Sequence, residues 1–328
     1  MARRATPAKY SRAMKGKKSK IGLAAAALLL VLCCFVGLTE WLGIPLPSWL
    51  SQFGGIRPEQ NQEVSLSVET PEGSRLLVHF LDVGQGDCAL VQCDGKSLLI
   101  DAGEPGNEEK ILSYLDSFQV SRLDYVIATH PHADHIGSMG QVLSHVSSIG
   151  TVFLPGLPDQ LIPTTRAYEK MMTAIEERAD QVVTATALEQ YALGEANILI
   201  LGPNGEYEDL NNYSVVCKIA FGECVFVFTG DAEEEAEKDI LDLGANLKAT
   251  VLKAGHHGSN TSTSSEFLQA VSPAYAVISC GEGNRYGHPN HETLEKLEAA
   301  SCQILRTDQK GTILFTVEDG VMSVSTEK

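Results

Sequence analysis

Two kinds of hydrophobic pattern divide the chain. Residues 21–38 are uncharged and mostly apolar, and a helix of that length spans roughly 27 Å, close to the hydrocarbon core of a bilayer. From residue 75 onward the apolar positions come in short strand-like runs or in amphipathic segments of helical period. The strand-like runs are 76–81, 89–93, 98–100, 125–128, 152–154, 198–201, 215–219, 225–228, 250–252, 275–278 and 313–317. Helical patterns fall at 108–118, 168–178, 232–243, 265–271 and 292–299. The early strands follow one another like hairpins, with Asp94-Gly95 as a turn, and the later ones alternate with helices. This mixture predicts a sheet-rich α/β or α+β sandwich over residues 75–328.

Charge refines the picture at both ends of the scale. The first twenty residues carry eight Lys or Arg and no acid. A basic cluster ahead of an apolar run predicts a cytoplasmic tail at 1–20, a single transmembrane helix at 21–42 and everything beyond it on the outer face. The run is longer than a signal peptide's and shows no small-residue cleavage site, so an uncleaved membrane anchor is expected, with Trp41 and Trp49 in the interface. Residues 43–74 mix Pro, Gly and polar residues without period, as a linker does. After residue 20, 17 basic residues face 42 acidic ones, a formal charge of −25. Such a surface repels nucleic acid, so any DNA-directed activity needs local basic groups or metal ions.

Six cysteines follow residue 40, with no paired CxxC spacing that would suggest a zinc site. Cys88 and Cys93 should face opposite sides of a strand, and a Cys217–Cys224 bridge depends on hairpin register.

The chemistry concentrates in His130-Pro131-His132-Ala133-Asp134-His135, four ligand-type side chains in six residues directly after an apolar run. Pro131 biases His130 towards extended backbone, which lets His130 and His132 turn the same way onto one metal while Asp134 and His135 reach a second. Asp231 follows another apolar run and is placed to bridge two cations, or to serve as an ordinary turn residue. His256 and His257 lie between Gly255 and Gly258, as in a tight loop. The acidic run 233–235 suits the first turn of a helix. No Walker loop, Rossmann fingerprint or nucleophile elbow is present in the sequence.

Together with Leu81-Asp82-Val83-Gly84-Gln85-Gly86-Asp87, Ile100-Asp101-Ala102-Gly103, Asn212-Tyr213-Ser214, Thr229-Gly230-Asp231, the Lys253–Ser259 stretch and Tyr286-Gly287-His288-Pro289, these motifs resemble the metallo-β-lactamase fold. More closely, they resemble the extracellular hydrolase domain of ComEC-type competence proteins. The resemblance covers about residues 75–325. It implies a four-layer αββα sandwich and one or two divalent metal ions, Zn or Mn. His130 and His132 would hold site one, Asp134 and His135 site two, and Asp231 would bridge them. His256 matches the late histidine of site two, and His257 can substitute for it. The family's third site-one histidine has no counterpart near Asn211, Asn212 and Ser214, as in competence-type domains, which makes that site weaker or suited to manganese.

The activity implied is metal-assisted hydrolysis of a phosphodiester, with DNA as a possible substrate. Asp134 would orient water or accept its proton, and His257 or His288 would donate to the leaving group or hold a phosphate. Gln85, Asp87, Asn212, Ser214 and Ser259 are expected to line the substrate space, and Asp101 to brace the histidine loop. Two alternatives stand beside this one. The −25 charge suits a small ester, lactone, lactam or cell-envelope phosphoester, and the gap at site one suits a non-catalytic metal-binding domain.

Overall fold

The computed structural model describes residues 73–328. The expected basic tail, the transmembrane helix and nearly all of the linker lie outside the described residues. Among the described residues no helix is long and apolar enough to cross a membrane.

In chain order the strands are β1 (Arg75–Phe80), β2 (Ala89–Cys93), β3 (Lys96–Ile100), β4 (Arg122–Ile127), β5 (Ser148–Leu154), β6 (Ala179–Thr184), β7 (Gln190–Leu193) and β8 (Ala196–Gly202). There follow β9 (Val216–Phe221), β10 (Cys224–Phe228), β11 (Val251–Lys253), β12 (Tyr275–Ile278), β13 (Gln303–Arg306), β14 (Ile313–Glu318) and β15 (Val321–Thr326). The helices are α1 (Glu108–Ser117), α2 (Ala133–Ile136), α3 (Met139–His145), α4 (Arg166–Arg178), α5 (Glu234–Asp242), α6 (Ser265–Val271), α7 (His291–Ala299) and α8 (Thr307–Lys310). One sheet runs β15-β14-β1-β2-β3-β4-β5-β6 and the other β13-β12-β11-β10-β9-β8-β7.

Strand alternation explains how the layers stack. Leu76, Val78 and Phe80 of β1 share an apolar cluster with Ile198 and Ile200 of β8 and with Phe226 and Phe228 of β10, so this cluster lies between the sheets. Leu199 and Leu201 point the other way, onto Ala236 and Ile240 of α5, Phe267 of α6 and Leu297 of α7. Leu90 and Leu99 leave the outer face of the first sheet to meet Ile111 and Leu115 of α1, Val142 of α3 and Ile175 of α4. Two face-to-face sheets with helices on each outer side are the result. Burying one large apolar side chain is worth roughly 1.5–3 kcal/mol, so three such clusters supply the cohesion.

Strands buried on both faces read as continuous apolar runs, and these are the ones visible in the sequence. The edges are not. β6 and β15 are largely exposed, and with β7 and β13 they carry no apolar run. The loop that carries the histidines enters helix near Ile136 in two short pieces, α2 and α3, the second containing Gly140. That glycine has a packing reason: a Cβ there would lie 2.8 Å from the Lys170 backbone of α4. The cysteines behave as thiols. Cys93 joins the inter-sheet cluster and Cys88 the helix-side one. In the β9–β10 hairpin Cys217 is opposite Phe228 and Cys224 opposite Phe221, so the bridge that register left open does not form.

Helix propensity alone would make Gly140→Ala stabilising by about 1 kcal/mol, whereas the close approach of α4 makes it an overpacking change costing about 1–3 kcal/mol. A urea titration of this variant is expected to show net destabilisation. A gain in stability would contradict the tight α3–α4 contact.

Candidate metal centre

Loops from both sheets meet at one end of the sandwich, and backbone hydrogen bonds set their spacing. Asp87 donates its N–H to Asp134 O (3.1 Å), Ala102 to His135 O (2.7 Å), Val215 to Thr129 O (2.9 Å) and His256 to Gly230 O (3.1 Å). Gly86 permits the first of these. Its φ is +135°, and a Cβ there would collide with the Asp134 carbonyl.

Asp231 is the hub, 1% exposed. Its Oδ1 lies 3.2 Å from His135 Nε2, and its Oδ2 lies 3.5 Å from His257 Nε2, 3.7 Å from His256 Nε2 and 3.8 Å from His130 Nε2. His257 Nε2 also stands 3.3 Å from Asp134 Oδ2. His130 Nε2 and His132 Nδ1 are 3.0 Å apart. One ligand atom each from Asp87, His135, Asp231 and His257 falls within 4.8 Å of all the others. These pairs sit at ion-pair distance, yet His135 Nε2, His257 Nε2, Asp231 Oδ1 and Asp87 Oδ1 make no hydrogen bond. A buried set of imidazole nitrogens and carboxylate oxygens left unbonded fits a divalent cation, which takes these donors together.

A ring of further contacts aims these side chains. Asp101 accepts from Thr129 N (2.9 Å), Thr129 Oγ1 (2.7 Å) and His135 Nδ1 (2.8 Å), which fixes the His135 tautomer with Nε2 facing Asp231. His257 Nδ1 donates to Ser279 O (3.0 Å) and faces Asp87 Oδ1 (3.2 Å). Lys253, 3% exposed, forms an ion pair with the other oxygen of Asp87. His256 Nδ1 donates to Glu233 Oε1 (3.2 Å). His256 and His257 both have left-handed backbone, φ 49° and 55°, a strained conformation for non-glycine residues that turns two successive imidazoles towards Asp231.

Burial disfavours charge on all these groups, and the neighbours decide the outcome. His257 and His135 outweigh it for Asp134 and Asp231, holding both carboxyls well below the usual range. Asp231 does the same for His135 and His257, with Asp101 and Asp87 respectively, and holds both imidazoles well above their ordinary value. Burial and the charge of His135 push His130 well down. Burial, with His256 and His257, brings His288 down to about 4.

An open pocket of about 370 Å³ leads to the cluster, lined by Gln85, His132, Ala133, Asp134, Asn211, Asp231, His256, His257, Tyr286 and His288. Several expected residues take other positions. Asn212, in the 3₁₀ turn Leu210–Tyr213, accepts from Glu233 N (2.9 Å) and staples the Asp231 loop, leaving Asn211 at the pocket wall. Ser214 is buried, with its hydroxyl 3.3 Å from His130 Nδ1 and accepting from Asp231 N (3.0 Å). Ser259 is buried against Thr261 (3.0 Å). Gln85 lines the pocket and accepts from Gly281 N (3.1 Å). Asp87 is part of the buried cluster and does not line the pocket. Lys253 has no role legible from the sequence, because a lysine ending an apolar strand looks like a solvated end.

The fold and this cluster are those of a metallo-β-lactamase domain. Residues 81–147 and 193–282 match the model of the metallo-beta-lactamase superfamily, and the chain belongs to that superfamily. Within it, the chain is similar to ComE operon protein 3 of Bacillus subtilis, 33% identical over 267 residues, which covers 76% of this chain and 34% of that protein. It is also similar to Competence protein ComA of Neisseria gonorrhoeae, 31% identical over 298 residues, covering 90% of this chain and 38% of that one. The chain thus spans about a third of the length of these relatives. Among solved structures, CmlA, a diiron β-hydroxylase from Streptomyces venezuelae, shares the fold at TM-score 0.50 and 15% identity, over 78% of this chain and 55% of CmlA.

Removing one partner of a buried ion pair leaves the other uncompensated, at a cost of about 3–5 kcal/mol. Lys253→Met is expected to lower stability by that order, and adding Asp87→Asn to recover part of it. Denaturant unfolding of both variants checks this: equal loss in single and double variants would contradict the pairing.

Proposed function

We propose that the chain is a metal-dependent hydrolase of phosphodiesters, with DNA as its substrate class, and that the cluster around Asp231 is its active site. The observation that carries this is the unbonded set of His135, His257 and Asp231 atoms, two of whose residues, Asp231 and His257, line the pocket while His135 is buried behind them. Two metal positions suit the distances. His130, His132 and Asp231 would hold one cation, and Asp134, His135, Asp231 and His257 the other. His257 is preferred to His256 because its Nε2 faces both Asp134 and Asp231, whereas His256 is tied to Glu233 at the rim. A divalent cation there, Zn or Mn, would supply Lewis acidity, easing loss of a proton from water and stabilising charge on a phosphoryl oxygen.

The chain's own residues do the remaining work. Asp134 is the most exposed carboxylate of the cluster, its side chain 23% accessible, and its ionised oxygens can orient the attacking water and accept its proton. His288 is neutral near pH 7 because its pKa is held down to about 4, so it suits hydrogen bonding to a phosphate better than protonating a leaving group. The competence names of the relatives support DNA. A tail at 1–20, an anchor at 21–42 and a linker at 43–74, with the domain on the outer face of a membrane, are proposed from the sequence pattern alone. A second reading, the same centre acting on a small ester or phosphoester, is favoured by the formal charge of −25 after residue 20 and by a pocket lining without Lys or Arg.

The full-length chain with Mn²⁺ or Zn²⁺ is expected to cleave single-stranded DNA, and Asp134→Ala to lower the rate by about 10²- to 10⁴-fold. Hydrolysis of bis(4-nitrophenyl) phosphate or a chromogenic ester without DNA cleavage would support the second reading instead. Charge balance gives another test. The raised pKa values of His135 and His257 put protons on them near pH 7 when no cation is present, and a bound metal must displace those protons. Titration calorimetry at pH 7 in buffers of different ionisation enthalpy is expected to give different heats of metal uptake. Equal heats would contradict that protonation.

A further inference from the structure

Three ring planes lead from the buried cluster to solvent. His257 and His288 stack with centroids 6.3 Å apart at 27°, and His288 and Tyr286 stack 5.7 Å apart at 22°. Beyond them stands Arg285, its guanidinium 4.9 Å from the Tyr286 ring centre and donating to the Tyr286 hydroxyl at 2.7 Å. Tyr286 is 48% exposed, the aromatic among the large apolar side chains that the described residues leave in solvent. It is nonetheless held in place. Asn284 Oδ1 accepts the N–H groups of Tyr286 (3.1 Å) and His288 (3.0 Å), while its Nδ2 donates to Gly281 O (2.9 Å).

Core packing does not explain an aromatic ring fixed in solvent at the mouth of a catalytic pocket. Charge points the same way. The pocket wall brings Asp134 and Asp231 but no Lys or Arg, and Arg285 supplies a cation beside it.

We propose that Arg285 and Tyr286 form a platform that holds a single-stranded nucleic acid beside the scissile bond. An unpaired base stacks on the Tyr286 ring, and the Arg285 guanidinium pairs with a neighbouring phosphate. Stacking on an aromatic ring is tolerant of sequence and available to unpaired bases, and a planar guanidinium matches phosphate oxygens. A local platform of this kind lets an acidic domain keep a polyanion without a broad basic surface. The proposal rests on the phosphodiesterase assignment above.

The test compares kcat/KM for a short single-stranded oligothymidylate with that for bis(4-nitrophenyl) phosphate, using the full-length chain and Mn²⁺. Tyr286→Ala is expected to lower the oligonucleotide-to-small-diester ratio about five- to a hundredfold. Arg285→Ala should lower it in the same direction, and Tyr286→Phe, which keeps the ring, should preserve most of it. An unchanged ratio in Tyr286→Ala overturns the platform. If the unsubstituted chain hydrolyses neither compound, the phosphodiesterase assignment fails. The platform is then judged by fluorescence anisotropy of labelled oligothymidylate, where weaker binding by Tyr286→Ala supports it and equal binding overturns it.

Discussion

A carboxylate buried as deeply as Asp231 must be met by opposite charge, because an uncompensated ion in the interior costs several kcal/mol. Here the compensation comes from loops of both sheets. His135, after β4 of the first sheet, and His257, after β11 of the second, carry it. Packing the sheets face to face and assembling the site are therefore one event, and Phe80 and Phe228 of the inter-sheet cluster line one small cavity with Asp87, Thr129 and Lys253.

Strain follows from the same constraint. Asp101, His256 and His257 all sit at positive φ, a conformation costing about 1–3 kcal/mol per residue. It persists because each is over-determined: Asp101 by three hydrogen bonds, His257 by Ser279 and Asp87, His256 by Gly230 and Glu233. The backbone is bent so that imidazole nitrogens and carboxylate oxygens crowd one point, an arrangement suited to binding a cation rather than to stability.

Much of this was legible in the chain. Central strands bury both faces, so 198–201 and 225–228 stand out as apolar runs, whereas edge strands such as β6 expose most of their residues and leave no such mark. The His130–His135 cluster and Asp231 could be singled out because ligand-type residues directly follow apolar strands. The choice between His256 and His257 could not be read there, since it depends on two consecutive left-handed residues that aim neighbouring rings differently. Asp87 reads as a residue lining the substrate space, and its buried ion pair is invisible in the sequence because Lys253 lies 166 positions away and meets it only after the sheets close. Likewise, nothing local distinguishes Asn211 from Asn212; a single turn of 3₁₀ helix sends one to the pocket and the other to the backbone of Glu233.

The central claim is that the atoms around Asp231 hold a divalent cation. Anomalous diffraction from crystals of the full-length chain grown with Mn²⁺, recorded above and below the manganese edge, tests it most directly. The account predicts a peak within about 2.0–2.3 Å of His135 Nε2, His257 Nε2 and an Asp231 oxygen. A well-ordered cluster without that peak, or manganese bound only at surface carboxylates, would contradict it.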